Sequence, residues 1–204
     1  MDRRTAIKWV MVAGAQLPSF LLADPKSAVA SPSGYGKDPD LLKAYSAGQL
    51  WPLTLTDAQT RTTQVLCDLI IPADAQSPAA SAVGVPTFID EWISAPYPNC
   101  VRDRPVIVSG LAWLDTEARR RFAGEFATLP PEQARRICDD ICDISRAQKP
   151  FATPAQFFAR FRDLTALGYY TTPVGLKDLR YVGNEPLASF EGPPPAVLRQ
   201  VGLA

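Results

Sequence analysis

The sequence predicts an all-α protein: a compact helical domain of about six short helices with extended N- and C-terminal segments. Three observations lead there. Apolar residues recur at helical spacing behind recognisable cap residues, and no period-two alternation of useful length occurs anywhere in the chain. The 20 prolines fall mostly at helix starts and in the last quarter, as punctuation between helices.

Residues 1–30 read as a twin-arginine export signal. Arg3, Arg4 and Lys8 form a basic start, an apolar run follows from about Trp9 to Ala23, and Ala28-Val29-Ala30 offers small residues for cleavage before Ser31. Ala6 departs from the consensus, where a bulky residue is common. The competing readings are a membrane anchor or the first helix of a cytoplasmic domain. A spanning helix needs about 20 predominantly apolar residues, whereas this run is shorter and broken by Gly14, Gln16 and Pro18. Cleavage is the expectation, with an uncleaved tether as the alternative.

The remaining 31–204 give 174 residues, enough for one helical domain with its own core. They carry 17 basic and 19 acidic residues, a balance that offers nothing to nucleic acid or an anionic membrane surface. Residues 31–52, with Pro32, Gly34, Gly36, Pro39 and Pro52, read as extended, with one short helix near Leu41 to Ala47. Thr56-Asp57-Ala58-Gln59 is a capping box that opens the first firm helix, whose Thr62, Val65, Leu66, Leu69 and Ile70 share a face until Pro72 stops it. Pro86 opens a second, burying Val85, Phe88, Ile89, Trp92 and Ile93 and ending at Pro96 and Pro98. A third is expected from about Pro105 to Leu114, with Asp115-Thr116-Glu117 capping a continuation whose Arg119, Arg120 and Arg121 are a solvated face.

Pro130-Pro131 starts a helix with Ala134, Ile137, Cys138, Ile141 and Ile144 inward and Arg135, Arg136, Asp139, Asp140 and Asp143 outward. Thr153-Pro154-Ala155-Gln156 reads as a second capping box, opening a helix that carries Phe157, Phe158, Phe161 and Leu164 and stops at Gly168 in a left-handed cap. A short helix near Val174 to Leu179 precedes Tyr181-Val182-Gly183-Asn184 and a proline-rich tail.

The chain contains no histidine. That removes the commonest general base, the usual metal ligand and the axial ligand of an ordinary c-type haem, and it forbids a Ser-His-Asp or Cys-His device. No catalytic, cofactor-binding or metal-binding residue is assigned to this chain. Cys67, Cys100, Cys138 and Cys142 are candidates for one or two disulfides in an oxidising compartment, with small buried hydrophobes as the alternative. Cys138 and Cys142 lie about one turn apart on the expected helix and so share a face. A bridge there would strain the helix, which leaves pairing with Cys67 or Cys100 equally open.

Several segments together resemble the gluconate 2-dehydrogenase subunit 3 family. They are the twin-arginine start, Gly34-Tyr35-Gly36 with Asp38-Pro39, the segment from Leu55 to Asp74 ending Ile70-Ile71-Pro72-Ala73-Asp74, and Gly84-Val85-Pro86 with Phe88-Ile89. Gly110-Leu111-Ala112-Trp113-Leu114-Asp115, Gly168-Tyr169-Tyr170-Thr171 and Tyr181-Val182-Gly183-Asn184 complete the set. The resemblance implies an accessory small subunit of a periplasmic, membrane-bound dehydrogenase acting on sugars, sugar alcohols or sugar acids. It implies a large subunit that carries FAD and the chemistry, and a multihaem cytochrome c subunit that passes electrons to quinone. It also implies that the small subunit supplies the export signal, read by the twin-arginine translocase, and stabilises the flavoprotein.

Candidate contacts with the flavoprotein are Tyr35, Tyr169, Tyr170, Tyr181 and Asn184, because rigid aromatics with a polar tip suit interface centres. The competing reading packs these tyrosines against the chain's own helices. Two rival functions stand beside the subunit: a stand-alone exported binding or structural protein, which needs an apolar pocket of its own, and a thiol redox protein using Cys138 and Cys142. The second lacks Cys-x-x-Cys spacing and, apart from Arg135 and Arg136, basic neighbours that would lower a thiol pKa.

Overall fold

In the computed structural model, residues 43–181 and 192–200 are described, together with positions 183, 189, 202 and 203. Among them are seven α-helices and no strand. The capping box at Thr56 forms as expected, Thr56 Oγ1 accepting from Gln59 N and Gln59 Oε1 from Thr56 N. It opens α1 (Asp57–Ile70). A 3₁₀ turn at Ala80–Val83 and Gly84, left-handed at φ 85°, lead into α2 (Val85–Ser94). Then come α3 (Pro98–Phe122), α4 (Pro131–Asp139), α5 (Ala152–Tyr170), α6 (Pro173–Asp178) and α7 (Pro195–Gln200).

Helices α1, α2, α3 and α5 pack mutually, with α4 against α3 and α6 against the end of α5. Their inner faces meet in a core that includes Leu66, Ile89, Ile93, Ile107, Leu111, Leu114, Phe161 and Leu164, all fully buried. Hydrophobic burial over this core is what holds such short helices, because isolated helices of this length are marginal in water. A polar tie crosses the same packing. Asp103 of α3 accepts from Trp92 Nε1 at 2.7 Å and from Arg160 Nε of α5 at 2.9 Å. Burial pushes the Asp103 carboxyl up, but the bonds from Arg160 and Trp92 outweigh it and hold the group below its ordinary range.

The chain ahead of α1 is fastened to α2. Asp90, buried, accepts from Thr54 N and Leu55 N at 3.0 and 3.1 Å, and Ser94 Oγ donates to Thr54 Oγ1 at 2.8 Å. The short helix expected near Leu41 to Ala47 is not helical over residues 43–47, where the backbone enters a turn; positions 41 and 42 lie outside the described residues.

Several helices differ in extent from the sequence expectation. Helix α3 runs 25 residues from Pro98, so Pro105 lies inside it instead of starting it. An interior proline costs about 3 kcal/mol; burial of Cys100, Ile107, Leu111 and Leu114 along the helix opposes that cost. Arg104 beside it also donates to the carbonyls of Ile93 and Ser94 at the end of α2, at 2.5 and 3.0 Å, where a cation is favoured. Asp115 caps no continuation: its carboxylate accepts from Phe126 N at 3.1 Å, fixing the turn after the helix.

Helix α4 stops at Asp139, because Asp143 binds Ser145 N at 2.8 Å and Ser145 Oγ at 2.6 Å, a local arrangement that competes with the helix. Ile141 is still buried, but Ile144 is 55% exposed. Thr153 is not an N-cap, since a 3₁₀ turn at Lys149–Phe151 feeds directly into α5. Pro154 there occupies an early position whose N–H has no intrahelical partner anyway. Finally, the tail is not wholly extended, since it contains α7.

The arginine triplet divides. Arg119 and Arg120 are exposed, whereas Arg121 is 18% exposed, pairs with Glu117 and Asp140, and lies 5.6 Å over the Phe151 ring.

One buried group lacks a partner among the described residues: the hydroxyl of Thr63 on α1. Burying an unpaired hydroxyl is unfavourable, so Thr63→Val, which keeps the shape, is expected to stabilise the protein by about 1 kcal/mol. Urea denaturation midpoints of the two proteins measure this, and a lower midpoint for the valine protein would count against it.

Candidate partner-docking site

The C-terminal end of α5 is built by a tight reversal. Thr172, extended at φ −80° and ψ 158°, accepts from Gly175 N at 3.1 Å and donates to Tyr169 O at 2.7 Å, while Pro173 takes the first helical position of α6. Gly175 has to be glycine, because a β-carbon there would stand 2.6 Å from the Tyr170 Cα and closer still to the Tyr169 carbonyl. Helix α6 therefore lies directly on the backbone of Tyr169-Tyr170. The loop after α1 is stitched to it from the other side. Asp74 accepts from Gln76 N and Ser77 N at 2.7 and 2.8 Å, which hold its carboxyl below the ordinary range, and Ser77 Oγ donates to Asp178 at 2.6 Å.

These contacts enclose a polar cleft of about 820 Å³ lined by Asp74, Gln76, Ser77, Tyr170, Lys177, Asp178 and Arg180. The structure thus joins one end of the Ile70–Asp74 segment to Tyr169-Tyr170.

Of the predicted contact residues, Tyr169 is corrected by the structure. It is 1% exposed, its hydroxyl is within 3.1 Å of both the Pro78 carbonyl and Asp178, and its ring meets that of Tyr170 edge-on at 5.3 Å. Burial first, and then Asp178, push its pKa up. Its role is to join α5, α6 and the loop after α1. Tyr170 and Tyr181 are 38% and 58% exposed and remain available to a partner. Arg3, Arg4, Lys8, Tyr35 and Asn184 lie outside the described residues. Sequence reasoning passed over Lys177 and Arg180, whose only signal was a pair of cations three apart just before Tyr181.

The four cysteines stand as free thiols, so none of the candidate disulfides is formed. Cys67, Cys100 and Cys138 are buried, whereas Cys142 lies past the end of α4 and is exposed, so Cys138 and Cys142 share no helix face. Burial pushes the thiols of Cys67 and Cys138 up to about 12, where neither is a nucleophile at neutral pH.

A second concavity of about 430 Å³ lies between α3 and the start of α5, with Pro105, Val106, Gly110, Trp113, Pro154 and Phe157 in its lining. Among the described residues, no group of three or more potential metal ligands occurs, and no helix is long and apolar enough to cross a membrane.

The family model described as gluconate 2-dehydrogenase subunit 3 matches residues 57–192. The chain belongs to the gluconate 2-dehydrogenase subunit 3 family. No curated protein and no solved structure matches it. The matched span of this subunit 3 chain covers α1 to α6 and the cleft at the α5–α6 corner, while Arg3-Arg4 and Gly34-Tyr35-Gly36 fall ahead of it. The glycines of its family-like segments have distinct physical tasks. Gly84 takes the left-handed turn before α2, Gly110 leaves room for the ring of Phe157, and Gly168 leaves room for Phe88, whose Cδ1 would lie 2.6 Å from an added β-carbon. Gly168 is therefore a packing notch within α5, and the helix passes through it to Tyr170.

Proposed function

We propose that this chain is the non-catalytic small subunit of a periplasmic, membrane-associated, FAD-dependent dehydrogenase that oxidises sugars, sugar acids or polyols. FAD and the chemistry reside in the large subunit, and a multihaem cytochrome c completes the route to quinone. The helical body binds the folded flavoprotein before export, and Arg3-Arg4 present the pair to the twin-arginine translocase. The observation that carries this is the coincidence, in one chain, of subunit 3 family membership over residues 57–192 and a twin-arginine pattern ahead of it. The absence of histidine agrees with a subunit that performs no acid-base step. Binding would also stabilise the flavoprotein by linkage, since a partner that engages only the native state shifts its unfolding equilibrium.

The test is co-purification from the periplasm of a native-expression host, comparing the intact chain with the Arg3→Lys/Arg4→Lys protein. A yellow, FAD-containing partner is expected with the intact chain, and that partner should stay in the cytoplasm with the variant. If the chain reaches the periplasm alone and colourless while the flavoprotein is unaffected, the reading fails. The apolar groove between α3 and α5 would then favour a stand-alone binding protein.

A further inference from the structure

We propose that the face formed by α3 and the start of α5, around their shared groove, docks the flavoprotein by receiving an uncharged, apolar ridge of that subunit. This rests on the subunit reading above, and it names the surface and the chemistry of what seats there.

Charge is the first argument. No residue lining the groove is ionisable, and its floor is made by Gly110 and Phe157, both buried. The charge-free face extends past the groove. Between Arg104 and Arg119 the exposed positions of α3 are Pro105, Val106, Ser109, Ala112 and Thr116, which recur at helical spacing and so share one face over about 16 Å. Between Lys149 and Arg162 the exposed positions are Pro150, Ala152, Thr153 and Gln156. By contrast, α1 exposes Asp57 and Arg61, and α4 exposes Glu132, Arg135, Arg136 and Asp139. Charges resume at the margins of the face, with Arg102, Arg119, Lys149 and Arg162 exposed. A charge-depleted core inside a polar rim is the composition of a protein interface. A charged side chain seated in this groove would lose its water without finding a partner, so the occupant is uncharged.

Shape and an unused donor supply the second argument. Trp51 Nε1 donates to the Glu91 carbonyl at 3.3 Å and Trp92 Nε1 to Asp103 at 2.7 Å, whereas Trp113 Nε1, in the groove lining, donates to nothing among the described residues. Covered by a partner, that N–H needs an acceptor, which a backbone carbonyl of the ridge supplies. A second copy of this chain fits poorly. A twofold contact sets the same patch against itself, and the proline, valine, serine, alanine and threonine side chains around this concavity are too short to fill its twin. A small molecule fits poorly as well, because Ala112, Thr116 and Ala152 belong to the charge-free face but lie outside the groove lining and would stay uncovered.

The test uses the full chain in the native host and reads FAD-containing flavoprotein recovered per subunit. Ser109 is exposed in the groove lining and donates to the Val106 carbonyl of its own turn at 3.3 Å, so it can be changed without disturbing the core. Ser109→Glu and Ser109→Lys are each expected to weaken recovery at least about tenfold with an unchanged melting temperature, while Ser109→Ala retains it. Added salt should leave recovery by the native chain undiminished. Undiminished recovery by both charged variants overturns the inference and leaves the subunit reading standing. A loss with one sign of charge but not the other would show a charged occupant and would also overturn it. So would the break-up of a self-associated form with flavoprotein recovery intact, which would place a second copy on this face. No flavoprotein with the native chain sinks the subunit reading itself.

Discussion

Replacing Gly110 by alanine is expected to destabilise the protein by about 3 kcal/mol, opposite in sign to the usual effect of that change in a helix. Gly110 is buried in the middle of α3, where alanine would ordinarily gain up to about 1 kcal/mol over glycine. Here the added β-carbon falls inside the ring of Phe157 on α5, and that ring is 2% exposed with the Phe161 ring 5.7 Å away. The clash involves atoms at the base of the ring, so no small rotation relieves it. Helices α3 and α5 would have to separate, or Phe157 would have to swing into the neighbouring groove. Equilibrium urea unfolding measures the loss, and a Phe157→Ala background locates it. Phe157→Ala alone costs about 3–5 kcal/mol, but adding Gly110→Ala to it should then cost nothing or restore some stability, because the two sites couple through contact. A Gly110→Ala protein as stable as the native one, or a loss unchanged in that background, would refute the close approach.

What the sequence shows and what it conceals follow from the range of the interactions involved. The start of α1 was legible because Thr56 and Gln59 satisfy each other's backbone within one turn. The short helix expected near Val174 to Leu179 forms one residue earlier, as α6, because Thr172 caps it and Pro173 takes its first position. The extent of α3 was not legible. Pro105 is locally a helix start, and only the burial of residues on both sides of it and the reach of Arg104 to α2 make it an interior residue. Gly110 and Gly168 could be noticed as motif glycines, but Phe157 and Phe88, which they accommodate, come from other helices. The site turned on one such boundary. With α5 ended at Gly168, Tyr169 and Tyr170 had no assigned face. Extended through Tyr170, the buried stripe Phe161, Thr165, Tyr169 repeats every four residues and puts Tyr169 inside while Tyr170 stays out. Lys177 and Arg180 were concealed because nothing local distinguishes a cleft-lining cation from any other surface charge, and only the reversal at the end of α5 brings them beside Asp74 and Tyr170.

Glu117→Gln is expected to cost about 1–2 kcal/mol at neutral pH and to remove part of the protein's sensitivity to acid. Glu117 sits on α3 with its side chain 8% exposed, accepting from Arg120 at 2.7 and 2.8 Å and from Arg121 at 2.5 Å. The bonds from Arg120, opposed by burial and reinforced by Arg121, carry its pKa from the ordinary 4.5 down to about 2. A carboxyl with a depressed folded pKa contributes stability that is complete above its unfolded value and disappears as pH falls through the folded one. The window is thus from about pH 4.5 to about pH 2. The full shift would correspond to about 3.4 kcal/mol, but Arg120 is 65% exposed and its share is screened by water. What remains is chiefly Arg121, mostly buried and paired besides with Asp140 at 2.6 Å. Glutamine preserves the shape and removes the charge, leaving that guanidinium under-neutralised where α3 meets the end of α4. The stability difference between the native and Glu117→Gln proteins, read from urea unfolding across pH, should be constant above about pH 5.5, shrink through the window and be lost as pH falls below about 2. A difference independent of pH would show that the variant loses packing and not an ion pair, and the proposed origin of the acid sensitivity would fall with it.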